Sequence, residues 1–150
     1  MKLHWSPKSP YVRKVMVCAH ELGVVQDLTL VRSVAAMLKP NAALMADNPL
    51  SKIPTLVLDD GTVLFDSAVI CEYLDAQAHG SLIPAGGAAR WQALRWHAFG
   101  DGLLDALILW RNERDRLHPA DLYLNAYRAK ATPADQDFVQ LDIFGRGNNA

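Results

Sequence analysis

Cysteine is scarce in this 150-residue chain: only Cys18 and Cys71, with no C-x-x-C between them. That excludes a disulfide-stapled scaffold and a Cys-rich zinc site, and it fits a reducing, cytoplasmic setting. The five histidines, at 4, 20, 79, 97 and 118, show no metal-ligand spacing, so no metal is expected. Neither sign of charge is in excess. Lys and Arg total 15 against 16 Asp and Glu, a formal net charge of −1 that gives nucleic acid or an anionic membrane no electrostatic hold. No apolar run approaches the roughly 20 residues of a membrane span, and Met1–Pro7 lacks the apolar core of an export signal. Internal repeats and low-complexity stretches are missing. What is present is a chain 51% hydrophobic and 21% charged, too apolar for disorder. It amounts to one long domain or two small ones sharing a core.

Leu3–Trp5 reads as a short strand that stops at a loop with two prolines, Ser6-Pro7-Lys8-Ser9-Pro10. Pro10 suits the first position of a helix and Ser9 its N-cap. Val12, Val15, Met16, Ala19 and Leu22 then recur at helical spacing, and Gly23 is a terminator. Val24–Val31, rich in Val and Leu, reads as a second strand. Lys39–Asp47 predicts a short helix bounded by Pro40 and Asn48-Pro49. Thr55–Leu58 and Thr62–Phe65 flank Asp60-Gly61, a tight-hairpin signal that makes them antiparallel neighbours. Ser67 opens a further helix with Val69, Ile70, Tyr73 and Leu74 on its buried side.

His79–Gly87, with three glycines, a serine and a proline, reads as a linker. From Ala88 the pattern is all-helical. Trp96, Phe99, Leu103, Ala106 and Trp110 form one stripe, and Trp91, Leu94, Ala98, Gly102 and Leu109 a second, an apolar arc wider than one core face requires. A further helix is expected over Pro119–Lys130, and a frayed tail over Thr132–Ala150. The order strand-helix-strand-helix, strand-strand-helix, then helices predicts a parallel pair with a crossover helix followed by an antiparallel hairpin. The expected fold is an α/β thioredoxin-like domain over 1–79 and a shortened all-α domain over 85–150.

Four local patterns agree in order and spacing with the N-terminal domain of glutathione S-transferases. They are Ser6-Pro-Lys-Ser9-Pro-Tyr-Val-Arg-Lys14, Asn48-Pro-Leu-Ser-Lys-Ile-Pro-Thr-Leu56, the Asp60-Gly61 hairpin, and Phe65-Asp66-Ser67-Ala-Val-Ile-Cys-Glu-Tyr-Leu74. The first resembles bacterial and tau-class members that use a catalytic serine. Asp101–Ala106 and Arg111–Arg116 resemble the start of the bacterial family's helical domain, and beyond them the resemblance fades.

The resemblance implies glutathione as co-substrate, with roles for particular residues. A free thiol has a pKa near about 8.5, and a hydrogen bond plus a helix N-terminus lowers it. By spacing alone Ser9 is a helix cap; the resemblance makes it the catalytic residue that donates to the thiolate, with Ser6 as fallback. Pro54 by itself is a strand-starting proline, whereas the family pattern implies a cis Ile53–Pro54 bond that turns the Ile53 backbone toward the cysteinyl backbone of glutathione. Asp66 and Ser67 are ordinary caps unless the γ-glutamyl end binds there, Ser67 at its carboxylate and Asp66 at its ammonium. Lys52 falls where the family holds the glycine carboxylate, although a loop lysine is more often simply solvated; Lys39 is a weaker candidate of the same kind. Cys18 and Cys71 read as small core residues, and Asp101 and Asp105 as a solvated pair on one helix face.

The expected function is that of a glutathione transferase acting on a small electrophile seated against the long helix, in a cytoplasmic homodimer. The alternatives are a catalytically idle glutathione-binding or interaction module, and a glutathione-dependent isomerase or peroxidase starting from the same thiolate.

Overall fold

A computed structural model describes residues 1–35 and 40–114. The chain divides into compact units at 1–105 and 106–150. In the second unit the described residues, 106–114, are helical. The expected helix over 119–130, the tail over 132–150 and Lys39 lie outside the described residues.

Strand β1 (Lys2–Trp5) is central, paired in parallel with β2 (Thr29–Arg32) and antiparallel with β3 (Thr55–Val57). A short β4 (Val63–Leu64) completes the order β2-β1-β3-β4. Successive side chains of a strand face opposite ways. Leu3 therefore enters the main apolar core while its neighbour His4 is buried on the other face, beside Ser33 and Asp47.

Helix α1 (Pro10–Glu21) is bounded as its sequence demands: Ser9 caps it, Pro10 occupies the first helical position, and Gly23 follows its end with φ +70°. The Gly23 N–H donates to His20 O at 3.1 Å and the Val24 N–H to Ala19 O at 2.9 Å, closing the helix in a Schellman motif. That closure consumes Val24, so the strand expected from that residue starts later. A single 3₁₀ turn, Val25–Asp27, intervenes before β2.

The helix expected within 39–47 is α2 (Ala42–Met45), capped by Asn41. Between β3 and β4 the turn is not the two-residue type with successive positive φ angles. Gly61 alone is left-handed, at φ +87°; its N–H donates to Leu58 O at 3.0 Å, and the Leu58 N–H donates to Thr62 O at 2.8 Å. This is a three-residue loop in which the glycine forms a bulge after a simple turn.

Helix α3 (Ser67–Gln77) buries Ser67, Ile70, Cys71, Leu74 and Asp75. Val69, expected inside, lies nearly opposite that face and is 46% exposed; Cys71 packs in the core instead. The core unites Leu3, Leu28 and Leu56 of the sheet layer with Val15, Cys18 and Ala19 of α1 and Ile70, Cys71 and Leu74 of α3. The segment after α3 is held by the buried Asp75, whose carboxylate accepts the Leu82 N–H at 3.0 Å and the Ile83 N–H at 2.9 Å. Helix α4 (Gly87–Arg114) follows, and Trp91, Trp96, Phe99 and Leu109 on it are all more than half exposed. No helix among the described residues is long and apolar enough to cross a membrane.

Candidate functional site

The sheet register decides where the candidate residues fall. His4, near the end of β1, pairs with Thr55 at the start of β3, and Leu56 pairs with Leu64 at the end of β4. The chain after β1, the chain before β3 and the chain after β4 therefore share one end of the sheet. Those segments are Ser6–Ser9, Lys52–Pro54 and Asp66–Ser67. The N-termini of α1 and α3, which pack side by side, open at the same end. Residues from three separate stretches of sequence are thus gathered by topology.

Ser9 is half-buried, with extended backbone at φ −87° and ψ 120°. Its Oγ accepts the Val12 N–H at 3.2 Å. A hydroxyl has two lone pairs and one hydrogen. Capping uses an acceptor site, and the O–H hydrogen has no acceptor among the described residues. The cap and the donor role of Ser9 are therefore compatible. Ser6, the fallback, is buried, and its Oγ accepts from the Lys8 N–H at 3.4 Å.

The Ile53–Pro54 peptide bond is cis, as the family pattern implied. Neither the N–H nor the C=O of Ile53 is hydrogen-bonded among the described residues. Lys52 is exposed; its carbonyl is engaged by Asn48 and Thr55, while its ammonium has no partner among the described residues. Asp66 caps α3, its Oδ1 accepting the Ala68 N–H at 2.9 Å, and the Phe65–Asp66 peptide is also cis. Ser67 is 2% exposed, and its hydroxyl has no hydrogen-bond partner among the described residues.

Four further side chains near this end escaped the sequence reading. Tyr11, in the first turn of α1, donates its O–H to Asp105. Burial, and then the neighbouring carboxylate, push its phenol far above the ordinary tyrosine value, so it stays protonated and donates. Lys14, one turn on, donates to both oxygens of Asp101 at 2.6 and 2.8 Å and contacts His97 Nε2 at 2.7 Å. Asp101 and Asp105 are therefore paired with α1 rather than merely solvated. No local signal in the sequence announces these pairs, because their partners lie on another helix far along the chain. Asn48 and Thr55, buried beneath the Lys52–Pro54 segment, are the other two.

Residues 8–77 match the family described as glutathione S-transferase, N-terminal domain. A glutathione transferase family member from Pseudomonas fluorescens Pf-5, solved with bound glutathione, superposes with a TM-score of 0.79 at 46% identity, covering 85% of this chain and 64% of that one. A glutathione S-transferase from Methylobacillus flagellatus KT, solved with glutathione bound, gives a TM-score of 0.71 at 36% identity, over 93% of this chain and 70% of its own. The chain belongs to the glutathione S-transferase family. A curated relative, the stringent starvation protein A homolog of Coxiella burnetii, is 34% identical over 144 residues, 95% of this chain. The chain spans 60% of that relative's length.

Within this glutathione S-transferase fold the two cysteines belong to the apolar core. Cys18 and Cys71 face each other between α1 and α3, both buried, with Cys18 Sγ 3.8 Å from the Cys71 carbonyl oxygen. The neighbouring Cys18 sulfur, together with burial, pushes the Cys71 thiol far up and keeps it protonated. Among the described residues no group of three His, Cys, Asp or Glu side chains is arranged to hold a metal ion.

Proposed function

We propose that this chain binds glutathione at the sheet end that gathers Ser9, Ile53 and Ser67, and conjugates it to a small electrophile: the thiol proton passes to solvent, the thiolate sulfur forms a thioether bond, and the electrophile's leaving group departs. The observation that carries the reading is the unused hydrogen on Ser9 Oγ at the N-terminus of α1. A donor there, with the positive end of the helix dipole, favours a thiolate over a thiol. The nucleophile is glutathione's sulfur, and Ser9 stabilises its charge. The unpaired Ile53 N–H and C=O suit the cysteinyl backbone as a short added strand. The free N–H groups of α3 with the Ser67 hydroxyl suit the γ-glutamyl carboxylate; Asp66 takes the ammonium beside it, and Lys52 the glycine carboxylate. The bound glutathione in the Pseudomonas and Methylobacillus structures supports the same ligand. A cytoplasmic homodimer is the assembly and compartment proposed with it.

A second reading keeps the ligand and drops the chemistry: a glutathione-binding interaction module. It is favoured by the Coxiella relative, which is named for stringent starvation rather than for a transferase. One experiment separates the two. The purified protein is titrated with glutathione by calorimetry, and conjugation to an aryl halide is followed across pH. Saturable binding with conjugation supports the transferase. Binding without conjugation of any electrophile class supports the module, and no binding removes both.

A further inference from the structure

We propose that Asn48 and Thr55 are a positioning pair that aims the Ile53 N–H at the ligand, an inference that rests on the glutathione-binding reading above. Asn48 is 1% exposed and Thr55 fully buried, so their polar groups must be satisfied internally. The Asn48 side-chain amide donates to the Lys52 carbonyl at 3.2 Å and to Thr55 Oγ1 at 2.9 Å. The Thr55 hydroxyl donates in turn to the same Lys52 carbonyl at 2.8 Å. Two donors thus converge on one carbonyl oxygen and hold it inward.

The consequence follows from peptide geometry. The Lys52–Ile53 bond is trans, since the cis bonds are Ile53–Pro54 and Phe65–Asp66. In a planar trans peptide the C=O of one residue and the N–H of the next point in opposite directions. Drawing the Lys52 C=O inward therefore turns the Ile53 N–H outward, where it has no partner among the described residues.

The pair is itself braced. Asn48 Oδ1 accepts the Leu50 N–H at 3.0 Å, and the Asn48 N–H donates to Leu44 O at 2.8 Å, tying the loop to α2. Ser51, left-handed at φ +52°, accepts the Asn41 N–H on its Oγ at 3.0 Å. Thr55 is fixed by its register against His4. Asn48 and Thr55 touch no substrate; they act through the peptide plane between Lys52 and Ile53.

The test uses the full chain. Thr55→Val keeps shape and β-branching but loses the hydroxyl; Thr55→Ser restores it; Asn48→Ala removes the amide. Glutathione affinity is measured by calorimetry, and the Ile53 amide is followed by nitrogen-15 NMR with and without glutathione. The wild-type Ile53 amide is expected to shift on binding. Thr55→Val is expected to weaken affinity about three- to tenfold, the worth of one hydrogen bond, and to reduce that shift at saturating glutathione, while Thr55→Ser stays within about twofold of wild type. Should Asn48→Ala fail to fold, the Thr55 variants carry the test. A folded Thr55→Val with wild-type affinity overturns the proposal, as does an equal loss in Thr55→Ser or an Ile53 amide indifferent to bound glutathione. A wild type that does not bind glutathione overturns the functional reading and this proposal with it.

Discussion

Ser9 Oγ accepts the Val12 N–H at 3.2 Å and keeps its own hydrogen unspent among the described residues. The two halves of that hydroxyl can be removed separately. Ser9→Ala loses cap and donor together: stability falls by about 1 kcal/mol, and at a pH near 6.5 conjugation falls about tenfold or more as the thiol returns toward its free pKa. Ser9→Asp keeps an accepting oxygen for the Val12 N–H but presents a negative charge to the sulfur. Its stability is expected to match wild type while conjugation is lost. Urea unfolding and a pH–rate profile on the three proteins check both arms. Wild-type conjugation in Ser9→Asp would remove Ser9 from the chemistry.

Gly80 is required by space rather than by backbone conformation. A methyl group built on it overlaps Asp75 Oδ1 and comes within 2.5 Å of Leu22 Cδ2. The Leu22 end can turn aside, but Asp75 is pinned by the Leu82 and Ile83 N–H groups. Gly80→Ala is therefore expected to destabilise by about 1–3 kcal/mol. Asp75→Ala, which strips two part-buried N–H groups of their acceptor, should cost about 1–3 kcal/mol. Chemical denaturation measures both. A Gly80→Ala protein as stable as wild type would mean that the chain after α3 is looser than this packing.

What could be read from the chain beforehand was what short-range chemistry writes down. Ser9, Pro10 and Gly23 mark the bounds of α1 because capping is settled within a few residues. The hairpin was legible, but its turn type was not: Asp60-Gly61 suits several turns, and the Leu58 pairings select the one with a single left-handed residue. The candidate residues Ser9, Ile53, Pro54 and Ser67 were found through resemblance, and their convergence became visible only with the register of β1, β3 and β4. Val69 was misplaced because one apolar residue on an amphipathic helix is weak evidence of which way the helix faces. Asn48 was legible only as part of the Asn48-Pro49 boundary of a short helix. Its grip on Lys52 and Thr55 depends on burial, which local pattern does not carry.

Lys14 and Asp101 join α1 to α4 through a two-oxygen contact, with both side chains about three-quarters shielded from water. Such a pair exceeds a freely exposed one, for which about 0.2–1 kcal/mol is usual. A double-mutant cycle with Lys14→Met and Asp101→Asn is expected to give a coupling of about 1 kcal/mol or more, only weakly reduced by salt. A coupling near zero would mean that α4 is held by other contacts, Tyr11–Asp105 foremost.

Asp47 links pH to the same framework. Its Oδ2 accepts from Lys2 Nζ and from His4 Nε2, each at 2.7 Å, and His4 Nδ1 meets Ser33 Oγ at 2.8 Å. A carboxylate only accepts, so Nε2 carries the ring proton toward Asp47. The Lys2 hydrogen bond first, and then that of His4, hold the Asp47 carboxyl below the ordinary carboxylate range. A folded-state pKa below the unfolded value means the stabilisation is complete above the unfolded value, about 3.9 for Asp, and is lost as pH falls through the lower folded value. Wild-type stability should therefore decline below about pH 4. Asp47→Asn should start lower at neutral pH and decline less steeply in acid, because the carboxylate that would be neutralised is already gone. Because Asp47 directly precedes Asn48, the same variant is expected to loosen the loop that presents Ile53 and to weaken glutathione binding at neutral pH. Thermal midpoints from pH 7 downward, with glutathione titrations at pH 7, measure both effects; an Asp47→Asn acid limb as steep as that of wild type would assign the acid sensitivity to other carboxylates.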